Sequence, residues 1–258
     1  MSVLKEREIL SESSQWAIEE LESRGFKIRS KLSFGIDPKL QMMGYTASVN
    51  GGHRIVVSQW SLSSPMLRGL LVHELSHVIL TEEGHPSHNY QLLANVLNGY
   101  SRSNDLDDET TSALRDSLNH IQDIYADDIG VGTFRKLETN LLQEFFENWA
   151  MEKAPDGSKL GDAECISVFA SNAFALASLR RRNLAGVKSE SAIRRKNSVF
   201  LKSAFPRSSF ERTTNLYFDL VDFLSSLRPL TKDDEERFAT DVVFYFNSLV
   251  SVTDFLSS

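Results

Sequence analysis

An HExxH motif inside an apolar, helix-forming segment constrains this chain more than any other feature of its sequence. The motif consists of His73, Glu74 and His77, within the segment LVHELSHVIL at 71–80. Positions four apart lie on the same face of an α-helix, so the two imidazoles can point at one metal ion. Glu74, beside the first histidine, can reach a water molecule at that ion. The motif therefore predicts a zinc hydrolase site.

The residues around the motif favour a helix whose back is buried. Neither proline nor glycine interrupts the chain from Leu71 to Glu83, and most neighbours of the two histidines are bulky and apolar. Ser63-Ser64-Pro65 predicts the start of this helix, because proline is favoured in the first turn. We expect the helix to end at about Thr81.

The composition is typical of a globular protein without a membrane span. Of the 258 residues, 41% are hydrophobic and 24% are charged. No segment approaches about 20 apolar residues, and the polar N-terminus has no apolar signal core, so we expect a cytoplasmic protein. The single cysteine, Cys165, excludes an internal disulfide and a cysteine-based metal cluster, and we expect it to pack in a core.

The chain is expected to combine a small mixed N-terminal half with an all-helical C-terminal half. Apolar spacing predicts a helix at 4–24, and strand patterns at 26–32, 44–49 and 53–58 follow, the last two joined by a hairpin turn at Asn50-Gly51-Gly52. Helices are then predicted near 63–81, 86–99, 107–129, 133–152, 159–182, 189–203, 207–227 and 231–256, with a break at 154–158. The predicted fold class is α+β, predominantly helical, with a zincin-like metal-binding domain at 1–132 and a helical domain of unknown role at 133–258.

A catalytic zinc ion usually takes three protein ligands, so the two histidines need a third. The metzincin pattern HExxHxxGxxH does not supply it, because Leu80 and Glu83 stand where that pattern has glycine and histidine. The spacing of His85 and His88 does not fit that pattern either.

The better candidate is the predicted helix NHIQDIYADDIG at 119–130. His120, Asp123 and Asp127 share one face of this helix, at spacings of three and four residues. Its clustered carboxylates would repel one another unless a cation neutralised them, although solvation could also suffice. The segment is therefore consistent with a bound divalent ion.

HELSH followed some tens of residues later by DIYADDIG resembles the gluzincin plan, in which an ExxxD helix follows HExxH. The second segment is most similar to ExxADxxG of the HtpX and CAAX-prenyl-protease family, and the hairpin leading into the motif resembles ImmA/IrrE-type metallopeptidases. The resemblance covers about residues 44–130. It implies one zinc ion per chain, held by His73, His77 and Asp123, with Asp127 orienting the first histidine. Aspartate stands here in place of the family's glutamate ligand and has a shorter reach, and His120 is the alternative ligand.

These features predict a zinc metallopeptidase that acts on a protein or peptide substrate. Glu74 is the expected general base for a metal-activated water and later passes the proton to the leaving amine. A substrate could bind as an added strand beside the hairpin at 44–58. An oxyanion donor is expected from among Tyr90, Tyr125, His85 and His120.

Two other classes of protein compete with the peptidase. The chain could be a zinc-binding regulatory or protein-interaction module with little or no peptidase activity, in which the helical half binds a protein. It could also be a structural protein in which the motif is coincidental. Zinc content separates the structural protein from the other two classes, and loss of proteolysis on substitution of Glu74 separates those two.

The charge of the chain is negative overall but unevenly distributed. The net charge of −7 does not favour nucleic-acid binding. Eight acidic residues and one basic residue lie from Asp105 to Asp128, whereas nine basic residues and one acidic residue lie from Arg180 to Arg207. The basic segment could bind an anionic partner such as nucleic acid, but a solvated helix face is the favoured interpretation.

Overall fold

A computed structural model describes residues 3–133, 140–144, 146 and 160–255. Helices and strands follow one another along this part of the chain in the order α1 (Val3–Ser23), β1 (Lys31–Asp37), β2 (Gly44–Val49), β3 (Gly52–Ser58), α2 (Leu67–Glu82), α3 (Tyr90–Ser103), α4 (Asp108–Gly130), α5 (Asp162–Arg181), α6 (Val187–Ala204), α7 (Phe210–Ser226) and α8 (Glu235–Val250). Apart from the one near 133–152, each predicted helix overlaps an observed one. Of that predicted helix, the described residues 140–144 and 146 are helical, and the break at 154–158 lies outside the described residues.

The fold is α+β and predominantly helical, as the sequence predicts. The described residues form a three-stranded sheet and are otherwise mostly helical. By contacts, the chain divides into two compact units: Met1–His88 with Tyr125–Leu142, and Asn89–Ile124 with Gln143–Ser258. The continuous helix α4 crosses this division, so its last turns belong to the first unit. The domain division at 132 and 133 stays a prediction, because contacts do not test which segment folds alone.

β3 is the central strand of the sheet in the first unit, in the order β1-β3-β2. β1 is parallel to β3, and β2 is antiparallel to it. A tight turn joins β2 to β3, and Gly51 has the positive φ of 82° that L-residues rarely adopt. The hairpin predicted from Asn50-Gly51-Gly52 is therefore confirmed.

The first strand begins at Lys31, so the predicted strand at 26–32 is wrong in its position. The backbone N–H groups just before β1 donate to the side chain of Glu82 instead of pairing with a neighbouring strand. The carboxylate of Glu82, at the end of α2, accepts the backbone N–H groups of Arg29 at 2.7 Å and Ser30 at 2.8 Å. Strand pairing starts only afterwards, where Lys31 stands opposite Gly52 of β3.

The core of the first unit lies where α1 and α2 pack against the sheet. Ile55 and Val57 of β3 are fully buried. They form one apolar cluster with residues of the two helices: Leu10, Ala17, Leu21, Leu67, Leu71, Val72, Leu75, Val78 and Ile79. Because α2 buries residues along its whole length, it is held firmly in this core.

The second unit is a helical assembly with an aromatic core. α5 packs against α7, and α3 packs against α8. The apolar residues predicted for the core are buried in α8 except for Phe244: Phe238, Val242, Tyr245, Phe246 and Leu249. Cys165 is also fully buried, as expected, and burial together with nearby Asp162 raises the pKa of its thiol to about 12. This cysteine is therefore a packing residue rather than an activated nucleophile.

Part of the basic segment from Arg180 to Arg207 forms ion pairs within the second unit. Arg180 bonds to both Glu190 and Asp222 at 2.6 Å, and Arg194 bonds to Glu190 at 2.7 Å. The hydrogen bonds from Arg180 and Arg194 hold the pKa of Glu190 below its usual range. These contacts agree with a solvated, ion-paired helix face. No helix in the described part of the chain is long and apolar enough to cross a membrane.

Leu75→Ala is expected to lower the free energy of unfolding by about 2–5 kcal/mol, because it leaves a cavity between α2 and the sheet. Leu75 is fully buried in the apolar cluster of the first unit. Urea denaturation followed by circular dichroism measures the change. The matched control is Leu4→Ala in α1, whose side chain is 80% exposed; this variant should stay within about 0.5 kcal/mol of the parent. Equal losses in the two variants would contradict the packing described here.

Candidate metal centre

α2 presents His73 and His77 on one face, one helical turn apart. Both side chains are half-buried, in contrast to the fully buried Val72 and Leu75 beside them. The Nε2 atoms of the two histidines lie 3.1 Å apart, and their ring planes are inclined at 84°. The two imidazoles therefore meet at their Nε2 atoms.

The carboxylate of Asp127 lies behind His73. Its Oδ1 is 2.7 Å from Nδ1 of His73, and the side chain is buried. An ionised carboxylate can only accept a hydrogen bond, so Nδ1 of His73 carries the hydrogen and donates it. The Nε2 atom of a neutral His73 then has its lone pair, directed towards His77.

Asp123 precedes Asp127 by one turn on the same continuous helix, α4. One carboxylate oxygen of Asp123 and one ring nitrogen from each of His73 and His77 lie within 4.8 Å of one another. Among the described residues, these three form the group of histidine and acidic side chains that converges closely enough to hold an ion. His120 is not a member of this group, and its ring packs against that of Phe174, with the centroids 4.9 Å apart.

The side chain of Glu74 is held by the edge strand β2. It is buried, and its Oε2 lies 2.7 Å from Oγ1 of Thr46, which also lies 3.1 Å from the carbonyl oxygen of Glu74. The hydroxyl of Thr46 donates to Oε2 of Glu74. Thr46 therefore anchors Glu74 to the sheet. Sequence reasoning missed Thr46, since threonine is common in strands and no spacing rule links it to the motif.

His88 lies directly behind His77. Its Nε2 is 2.7 Å from Nδ1 of His77, and its Nδ1 is 2.8 Å from Oγ of Ser87. Burial lowers the pKa of His88 well below its usual range, and the neighbouring histidines lower it further. His88 is therefore a neutral hydrogen-bond partner of His77 at neutral pH.

Sequence reasoning also missed His88 as a partner of His77, because its spacing matches no ligand pattern. The available signal was Gly84, which follows the last turn of α2 and has a φ of 66°. A glycine with positive φ commonly ends a helix and redirects the chain. The short 3-10 turn Pro86–His88 follows, and it brings His88 back to the side of α2.

The candidate oxyanion donors have different surroundings. Tyr90 is 68% exposed. Tyr125 is buried against the ring of His85, with the centroids 5.0 Å apart, and Nδ1 of His85 is 2.7 Å from Oγ of Ser87. The assignment of the oxyanion role to one of these residues stays a prediction.

The three converging side chains fit a zinc ion in chemistry, and the two histidines also fit it in spacing. Imidazole nitrogen and carboxylate oxygen are both ligands that zinc takes readily. Two nitrogens bound tetrahedrally at about 2.0–2.1 Å from one zinc ion are about 3.4 Å apart, which is close to the separation observed here between Nε2 of His73 and Nε2 of His77. The donor set of His73, His77 and Asp123 is therefore suited to zinc.

The chain belongs to a family of unknown function (DUF5781), whose model matches residues 21–193. The match contains the whole of α2 and α4 and ends within α6. It therefore includes every residue of the candidate metal centre. No curated protein and no solved structure matches the chain.

Proposed function

We propose that this protein is a zinc-dependent metallopeptidase of zincin type, in which His73, His77 and Asp123 hold one zinc ion per chain. The observation that carries the proposal is the convergence of ligand atoms from these three side chains within 4.8 Å, with Glu74 immediately after His73 in α2. Structural zinc sites are closed by four protein ligands, whereas catalytic sites keep one position for water or substrate. A group of three members, as found in the described part of the chain, supports the catalytic type.

Zinc bound at this centre supplies a Lewis acid that polarises a scissile carbonyl and activates water for attack. Glu74 takes the proton from the attacking water and later delivers it to the leaving amine. The hydroxyl of Thr46 restrains the carboxylate of Glu74, and Asp127 restrains the ring of His73. Groups that are already oriented lose less conformational freedom when the reaction occurs.

The position of β2 supports a peptide as the substrate. In the described part of the chain, β2 pairs with β3 on one side only, at the edge of the sheet. An extended peptide can add to such an edge as a further strand, using main-chain hydrogen bonds. β2 also carries Thr46, which bonds to Glu74, so a peptide bound along this edge would lie near the proposed base.

The isolated protein should carry about one zinc ion per chain, and either His73→Ala or His77→Ala should lower the zinc content sharply. Each substitution removes one of the two converging Nε2 atoms. Elemental analysis of the purified variants measures the effect, with His53→Ala as the control, since His53 is a buried histidine of β3 outside the group. Full zinc retention in both site variants would show that the metal is not held here.

Glu74→Gln should keep zinc and fold but lower peptide hydrolysis by about 10²–10⁴-fold, because the amide is nearly isosteric and cannot act as a base. Mass spectrometry of a peptide library derived from cell proteins measures cleavage without assuming a sequence preference. Glu83→Gln is the control, since Glu83 is an exposed residue immediately after α2.

Equal cleavage by the parent and by Glu74→Gln would exclude the proposed mechanism. Zinc binding in both proteins without cleavage by either would instead favour a zinc-binding regulatory module. The elemental analysis and the cleavage assay therefore separate metal binding from catalysis.

Asp123→Ala should weaken zinc binding more than Asp127→Ala, because it removes a ligand atom rather than an orienting partner, whose loss typically costs about 10–100-fold in affinity. Competition against a chromogenic chelator measures the zinc dissociation constants of the parent, Asp123→Ala and Asp127→Ala. Asp128→Ala, at an exposed position on the same helix, is the control.

Asp123→Glu tests the same assignment in the other direction. It restores the ligand type of the resembling family and is expected to retain zinc if α4 can adjust to the longer side chain. A larger loss in Asp127→Ala, or in His120→Ala, would transfer the ligand role to that residue.

A further inference from the structure

We propose that Ser87, His85 and His88 form a hydrogen-bonded relay that fixes the tautomer of His77, so that Nε2 of His77 faces the metal centre with its lone pair. The relay residues act on the metal centre through His77 and are therefore positioning residues. The inference rests on the proposed function in one respect only, which is that Nε2 of His77 is the atom that binds zinc.

The relay is continuous and buried within the first unit. Nδ1 of His85 is 2.7 Å from Oγ of Ser87, Oγ of Ser87 is 2.8 Å from Nδ1 of His88, and Nε2 of His88 is 2.7 Å from Nδ1 of His77. His85, Ser87 and His88 are all buried. Buried polar groups in such a chain need each hydrogen to be matched by an acceptor, so the direction of every bond depends on its neighbours.

A backbone group sets the direction of the relay at one end. The backbone N–H of Ser87 donates to Nδ1 of His85 at 3.3 Å. An amide nitrogen cannot accept, and a hydrogen on Nδ1 would collide with the amide hydrogen, so Nδ1 of His85 carries the lone pair. The hydroxyl of Ser87 must therefore also donate to His85, and this uses its one hydrogen.

The direction of the Ser87 hydroxyl decides which ring nitrogens of His88 and His77 carry hydrogen. Oγ of Ser87 can only accept from His88, so Nδ1 of His88 carries a hydrogen. The two partners of His88 are a hydroxyl and an imidazole rather than a carboxylate, which favours the neutral ring. Nε2 of a neutral His88 is then an acceptor, and Nδ1 of His77 donates to it. Nε2 of His77 is left with a lone pair.

This lone pair explains why the two histidines of α2 form a cation site. Asp127 fixes the same tautomer in His73 from the other side. Two Nε2 lone pairs then face each other across 3.1 Å, an arrangement that is repulsive unless a metal ion binds both nitrogens or a proton is shared between them. The relay and Asp127 thus prepare the two imidazoles for a metal by different chemistry, one with neutral groups and one with a carboxylate.

Nuclear magnetic resonance of the metal-free protein tests the relay independently of zinc. With ¹⁵N-labelled histidine, long-range ¹H–¹⁵N spectra distinguish a protonated from an unprotonated ring nitrogen. We expect hydrogen on Nδ1 of His77 and of His88, and on Nε2 of His85. A His77 that carries its hydrogen on Nε2 would overturn the proposal.

Substitution of His88 tests the consequence for the metal. His88→Ala should weaken zinc binding by about 10–100-fold in the chelator competition, as loss of an orienting partner does. His88→Gln should recover part of this loss, because its amide offers one acceptor and one donor. Ser87→Ala should have an effect in the same direction and smaller than that of His88→Ala. His53→Ala, a buried histidine outside the relay, should leave the affinity unchanged.

The outcomes separate this inference from the proposed function. Unchanged zinc affinity in His88→Ala, together with loss of binding in His77→Ala, would overturn the relay and leave the metal centre intact. A parent protein that binds no zinc would refute the proposed function, and the tautomer of His77 in the metal-free protein would still decide the relay. If His88→Ala does not fold, His88→Gln and the spectra of the parent decide the question.

Discussion

A histidine that offers one ring nitrogen to a metal must satisfy its other nitrogen elsewhere, and most of the candidate centre depends on how this is done. Here each of the two nitrogens meets a buried partner, Asp127 behind His73 and His88 behind His77. One partner comes from the last turns of α4, and the other from the turn that follows α2. The two imidazoles are therefore oriented by separate segments that pack against the same helix.

The same helix serves the core and the candidate site. α2 is anchored by the apolar cluster that it shares with α1 and the sheet, which limits the movement of its histidines. α4 lies directly beside it at Gly130. A Cβ at that position would make ordinary van der Waals contacts, at 3.5 Å from Cγ1 of Val72 and 3.9 Å from Cα of His73.

Charge gives a reason for two different partners behind the two histidines. The carboxylates of Asp123 and Asp127 would balance a divalent cation, and the neutral His88 adds no further negative charge. An acid in place of His88 would make the centre more negative and reduce the ability of the cation to polarise a carbonyl. The neutral relay therefore orients His77 while preserving the Lewis acidity that the proposed function requires. The family match at 21–193 contains Asp123, Asp127 and His88.

The sequence by itself determined the local features. His73 and His77 share a face because four-residue spacing acts within one helix, and the hairpin follows from Asn50-Gly51-Gly52 because its turn needs positive φ. Tertiary structure alone decided the contacts between residues far apart in the chain. Glu82 accepts backbone N–H groups from the two residues just before β1, and Thr46 bonds to Glu74. These contacts depend on how helices and strands pack against one another. The periodicity of the sequence predicts each helix or strand but does not predict such contacts.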